Sequence, residues 1–163
     1  MLYVAEIEIP DRLAGGNNFT FGDVFEKTIV LPAKVRKIKS FCCFAELDTC
    51  TKMTHLEYTD ENDNTTVKDI LSAQLGSLSI CMNKTDVIVA NSPIYSCENL
   101  HDCSFNGNKV EFDKSIDVTS GTSMKFTVEE KEETPIATSG LYYSYNQPRR
   151  NKYTVKIYLE YDK

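Results

Sequence analysis

The chain has no tryptophan, two histidines, five prolines and seven glycines in 163 residues. With Gly and Pro this sparse, a low-complexity or linker-like chain is excluded. Only His55 and His101 can act as imidazole bases or ligands, which leaves a histidine-based triad without support. No G-x-S-x-G, P-loop or G-x-G-x-x-G occurs, so the commonest nucleophile and nucleotide motifs are missing. Positive charge is also in short supply. The net charge of −6 and a pI near 5.0 argue against a nucleic-acid partner, because phosphate binding needs a basic face. No apolar run approaches the ~18 residues of a membrane helix, so no membrane partner is expected. The opening "MLYVAEIEIPDRLAGG" lacks the basic start and apolar core of a signal peptide. Synthesis in a cytoplasm is expected, with exit only inside an assembled particle.

What is present suits one globular domain over residues 1–163, long enough to bury roughly 70% of the surface its unfolded form exposes. Six cysteines stand at positions 42, 43, 50, 81, 97 and 103, too few for a disulfide scaffold. A reducing cytosol disfavours stable bridges. On the same ground the N-x-[ST] triplets at Asn18, Asn64 and Asn83 read as polar loop residues rather than glycan acceptors.

The dominant pattern is period two. In "KYTVKIYLEY", Tyr153, Val155, Ile157, Leu159 and Tyr161 share one face, and Lys152, Thr154, Lys156, Tyr158 and Glu160 the other. "SMKFTVEE" repeats the beat with Met124, Phe126 and Val128 inward. Further strand candidates are separated by the turn-prone segments "AGGNN", "DENDN", "NKT", "FNGN", "TSGT" and "NQPRR". Short strands with this punctuation and no interposed helices predict an all-β antiparallel sandwich, jelly-roll-like. One short helix is predicted near 66–76, where Val67, Ile70, Leu71 and Leu75 recur at helical spacing, Thr66 caps and Gly76 ends it.

"IKSFCCFAEL" (38–47) is apolar in both phases, as expected of a central strand or one beneath a subunit contact. Adjacent strand residues point to opposite faces, so Cys42 and Cys43 cannot jointly grip one metal ion. Both read as small buried hydrophobes.

Other chemistry is mostly rejected. Cys43 to Cys50 and Cys97 to Cys103 are spaced too widely for zinc pairs. In "CENLHDC", Cys97, His101 and Cys103 could gather a metal, but a polar surface loop is the plainer reading; outside the cell Cys97 and Cys103 become a candidate disulfide. "DENDN" begins like a calcium loop yet has no glycine at its sixth position and Leu71 at its twelfth. "EEKEE" (129–133) reads as a solvated turn rather than a glycosidase pair. No catalytic, cofactor or metal residue is expected, and no cofactor.

The C-terminal "GLYYSYNQPRRNKY" gathers Tyr142, Tyr143, Tyr145, Arg149, Arg150 and Tyr153 around one hairpin. Tyr and Arg are favoured at interfaces, and tyrosine also stacks on sugars. With Phe41, Phe44 and Leu47 of the doubly apolar strand, these are the candidate interaction residues. "EKTIVLPAKVRKIKSF" and the ending "SGLYYSYNQPRRNKYTVKIYLEYDK" resemble small β-sandwich virion structural proteins of tailed phages, of the capsid decoration, head-fibre or connector type. The likeness covers the first and last quarters. It implies a non-enzymatic subunit of a virus particle, made in the host cytoplasm, oligomeric and in contact with other virion proteins. The alternative from the residues themselves is a carbohydrate-binding module using the hairpin tyrosines.

Overall fold

A computed structural model of the chain describes residues 1–10, 12–13, 22–47, 54–59, 65–69, 74–97, 104–130, 149–150 and 152–163. The strands are β1 (Leu2–Ile9), β2 (Arg12–Leu13), β3 (Val24–Val30), β4 (Lys37–Leu47), β5 (Thr54–Thr59) and β6 (Thr65–Asp69). They continue as β7 (Gln74–Met82), β8 (Asp86–Tyr95), β9 (Val110–Asp117), β10 (Ser123–Glu130), β11 (Arg149–Arg150) and β12 (Tyr153–Asp162). Two four-stranded antiparallel sheets, β1-β12-β4-β9 and β3-β10-β7-β8, pack face to face as a β-sandwich. A third sheet has the order β2-β11-β5-β6.

Counted alone and in chain order, the eight strands of the two large sheets read 1-8-3-6 and 2-7-4-5. That is the layering of a jelly roll. Because neighbours alternate in direction, the connections fall into two sets at opposite ends. At one end the links 31–36, 83–85 and 118–122 are short. At the other, residues 10–23, 48–73, 96–109 and 131–152 form four longer connections, three of which contribute the strands of the third sheet.

The alternation in the sequence builds the core directly. Tyr153, Val155, Ile157, Leu159 and Tyr161 of β12 are buried, and so are Met124, Phe126 and Val128 of β10. They meet Ala5, Ile7 and Ile9 from β1 and Leu78 and Ile80 from β7. Each fully buried residue of this size stabilises the fold by about 1.5–3 kcal/mol relative to exposure.

The region expected to be helical is β-structured. Residues 65–69 pair with β5, and 74–82 pair with both β8 and β10; Ile70 and Leu71 lie outside the described residues. The apparent 3.6-residue spacing joined two separate strands across their connection. Within β7 the buried positions Gly76, Leu78 and Ile80 keep period two, and pairing on both edges outweighs local helix preference.

The sandwich flanks are finished differently. On the β1/β3 flank Lys27 Nζ donates to the Glu6 carbonyl at 2.8 Å, placing a charge at two sheet edges, a device that discourages strand addition. On the opposite flank the chain after β8 crosses toward β4, where Ser96 makes a parallel bridge to Ala45. The first strand is locked at its start as well: the Met1 amino group donates to the Tyr161 carbonyl at 2.9 Å.

Candidate functional site

Strand β4 is central, flanked by β12 and β9, which accounts for its two apolar phases. On the inner phase Phe41 stacks on Phe112 with ring centroids 5.6 Å apart. On the outer phase Phe44 stacks on Tyr158 at 5.5 Å, and Phe105 from the 96–109 connection packs over Tyr158 at 6.2 Å. Phe41 and Phe44 keep only 4% and 2% of their surface exposed. The chain itself covers both faces of β4, so these rings present no open surface to a partner.

The two adjacent thiols behave as hydrophobes. Cys42 is fully buried beside Phe44, and Cys43 packs against the core with its Sγ 3.9 Å from the Pro93 carbonyl. Burial pushes Cys42 up to about 11. Burial, then the neighbouring Cys42, push Cys43 up to about 12, with a Ser92 hydrogen bond opposing. Neither is a thiolate at neutral pH, so neither is poised for nucleophilic or metal chemistry. Cys42, Cys43 and Cys81 are free, whereas Cys97 is disulfide-bonded. A bridge there is what an oxidising environment produces, the circumstance under which the sequence left a Cys97 disulfide open. His101 and Cys103 lie outside the described residues, and among the described residues no group of three or more His, Cys, Asp or Glu side chains is placed to hold a metal ion.

The remaining candidates belong to the end with the long connections. Leu47 and Tyr153 are directly opposite in the β4–β12 ladder. Strand β11 sets Arg149 opposite Leu13 and His55, and Arg150 opposite Arg12 and Thr54. In a chain of net charge −6, the register thus brings three arginine positions together in the third sheet. Tyr142, Tyr143 and Tyr145 lie outside the described residues, within the connection that carries β11. Tyr153 faces inward, 2% exposed, and its hydroxyl donates to Glu130 Oε1 at 3.1 Å.

That partner was missed by reading "EEKEE" as a solvated turn. Glu129 is exposed, but Glu130 is buried at 7% exposure. Its backbone N–H donates to the Asp23 carbonyl at 3.0 Å, and its Oε2 accepts from the Asp23 N–H at 3.4 Å. The signal was available: the inward beat of Met124, Phe126 and Val128, continued by one step, lands on Glu130. A buried carboxylate is tolerable only when hydrogen-bonded, and the Tyr153 hydroxyl and Asp23 amide supply that here, joining the two sheets beneath the long connections.

The outer face of the β1-β12-β4-β9 sheet is a charge ladder. Lys156 reaches Glu46 at 2.6 Å and Glu6 at 3.9 Å, and Lys109 reaches Glu111 at 2.8 Å and Glu160 at 3.6 Å. Glu160 also accepts from the Ser40 hydroxyl at 2.7 Å, the main reason its carboxyl sits below the ordinary range. Exposed pairs of this kind add little to stability; their main effect is a wet, charged face rather than a sticky one.

No protein-family model matches the chain, and no curated protein matches it.

Proposed function

We propose that the protein is a non-enzymatic structural subunit of a virus particle, assembling through surface contacts made by the long-connection end. The observation that carries this reading is the jelly-roll layering, 1-8-3-6 over 2-7-4-5, with all four long connections on one side of the sandwich. Capsid domains use this architecture, and binding residues concentrate on loops held by a rigid scaffold. The β1/β3 flank, carrying Lys27 across its edges, favours contacts through that end over open-ended strand pairing. The partners are further copies of the chain and other particle proteins.

Lectin domains use the same architecture. The position of Tyr142, Tyr143 and Tyr145 in the 131–152 connection keeps a carbohydrate-binding module as the second reading, because fold does not decide function. Size-exclusion chromatography with light scattering, with and without reductant, separates the two. A defined oligomer supports the subunit. A chain that stays monomeric at high concentration, binds no particle component and binds a glycan array through the three tyrosines overturns it in favour of the sugar-binding module.

A further inference from the structure

We infer that Asn83 is an acceptor for N-linked glycan, so that the protein carries a carbohydrate at the short-turn end of the sandwich. The inference goes beyond the assembly reading and does not rest on it.

The acceptor triplet Asn83-Lys84-Thr85 is the whole of the turn between β7 and β8. Asn83 and Lys84 have φ of 49° and 72°, and the Thr85 N–H donates to the Met82 carbonyl at 3.3 Å. Two consecutive positive φ values at the centre of the four-residue turn Met82–Thr85 match a type I′ turn, in which asparagine is a favoured first residue. All three residues of the triplet are exposed.

The chemistry of the asparagine is divided between its two amide atoms. Its Oδ1 accepts from the Ser123 N–H at 3.3 Å, and its backbone N–H donates to the Ser123 carbonyl at 2.9 Å. Its Nδ2 donates to no group among the described residues. Glycosylation engages only the atom that the fold leaves unused. In the transfer, Nδ2 forms a bond to the anomeric carbon of an oligosaccharide carried on a lipid pyrophosphate. The bond from that carbon to the pyrophosphate oxygen breaks, the lipid pyrophosphate leaves with the electron pair, and one Nδ2 proton passes to the transferase base. The Oδ1 that holds Ser123 is unchanged.

Two independent features agree. Such transfer belongs to an oxidising lumen, and Cys97 is disulfide-bonded, which marks an oxidising environment. Second, exposed apolar side chains flank the turn. Val30 pairs with Ser123 and is 66% exposed, and Val87, two residues past Thr85, is 61% exposed. A glycan here stands at the end opposite the long connections and leaves those free to bind.

The full chain, directed into the secretory lumen of cultured animal cells, is the material for the test, read by site-resolved glycopeptide mass spectrometry so that Asn18 and Asn64 are scored separately. Expected is glycan on Asn83 in the unaltered chain and in Thr85→Ser, with complete loss in Asn83→Gln and Thr85→Ala. Because Thr85→Ala leaves Asn83 and its bonds to Ser123 in place, its loss of glycan reports recognition rather than misfolding. A secreted, folded chain with an intact Cys97 disulfide and bare Asn83 overturns the proposal.

Discussion

Replacing Gly76 by alanine tests the sheet packing at its tightest point. Gly76 faces inward on β7, opposite Glu130 in the ladder with β10. A methyl group there would run into the backbone carbonyl oxygen of Glu129 and come within 3.1 Å of the Glu130 Cα. These atoms belong to a paired strand, so they cannot swing aside as a side-chain tip would. Relief requires β7 and β10 to separate locally, close to where Glu130 meets Tyr153. Overpacking of this type costs about 1–3 kcal/mol. Against it stands the roughly 0.4–1 kcal/mol that losing a glycine returns by restricting the unfolded chain. The expected net loss is about 0–2.6 kcal/mol, with its middle at about 1.3 kcal/mol. For a chain of this size each kcal/mol moves the midpoint by roughly 2–4 °C, so Gly76→Ala should melt up to roughly 10 °C lower, with the middle of the range at about 3–5 °C. Differential scanning calorimetry beside urea titration gives both quantities. Ser77→Ala, one residue on and facing outward, is the control and should stay within about 0.5 kcal/mol of the parent. A Gly76→Ala chain more stable than the parent would refute the close approach, since backbone entropy alone would then decide the outcome.

Three further outcomes are expected. At pH 8 iodoacetamide should modify Cys81 well before Cys42 and Cys43, whose thiols are pushed to about 11 and about 12; equal rates by peptide mass spectrometry would count against their burial. Because both values are raised from an ordinary 9.0, the stability this confers is complete below pH 9 and fades as pH climbs through the folded values. Tyr153→Phe leaves the buried Glu130 carboxylate short of a donor and should cost about 1–3 kcal/mol by urea unfolding; no change would mean that the pair is not desolvated. Ser40→Ala should destabilise the protein at neutral pH by an amount that shrinks in acid, since the Ser40 bond lowers the Glu160 value and such stabilisation disappears as pH falls through the folded value; a difference that persists at pH 2 would assign Ser40 a packing role instead.

The sequence carried the sandwich wherever one face is wet. The β10 and β12 patterns appear in the structure residue for residue, and "NKT", "FNGN" and "TSGT" all fall at turns. Periodicity failed across 66–76, where parts of two strands and their connection imitated one helical repeat. Gly76 was rightly singled out, but for the wrong force: it admits a neighbouring strand rather than ending a helix. The doubly apolar β4 was legible as central, yet nothing local could show that Phe105 and Tyr158, far along the chain, complete the cover over Phe44. Strand order could not be read at all, because it is set by long-range pairing. With it went the separation of short and long connections on which the candidate site depends.

The pairing of the Met1 amino group with Tyr161 bears on how the molecule can be tethered. The first and last residues lie side by side at the short-turn end, so a fusion, an anchor or a second module joined to either terminus would hang from the same pole. The long connections would then be held outward on a leash, whichever terminus supplied it. A short peptide should likewise join the old termini into a circular permutant, with new ends opened in the 118–122 turn, without disturbing the opposite pole.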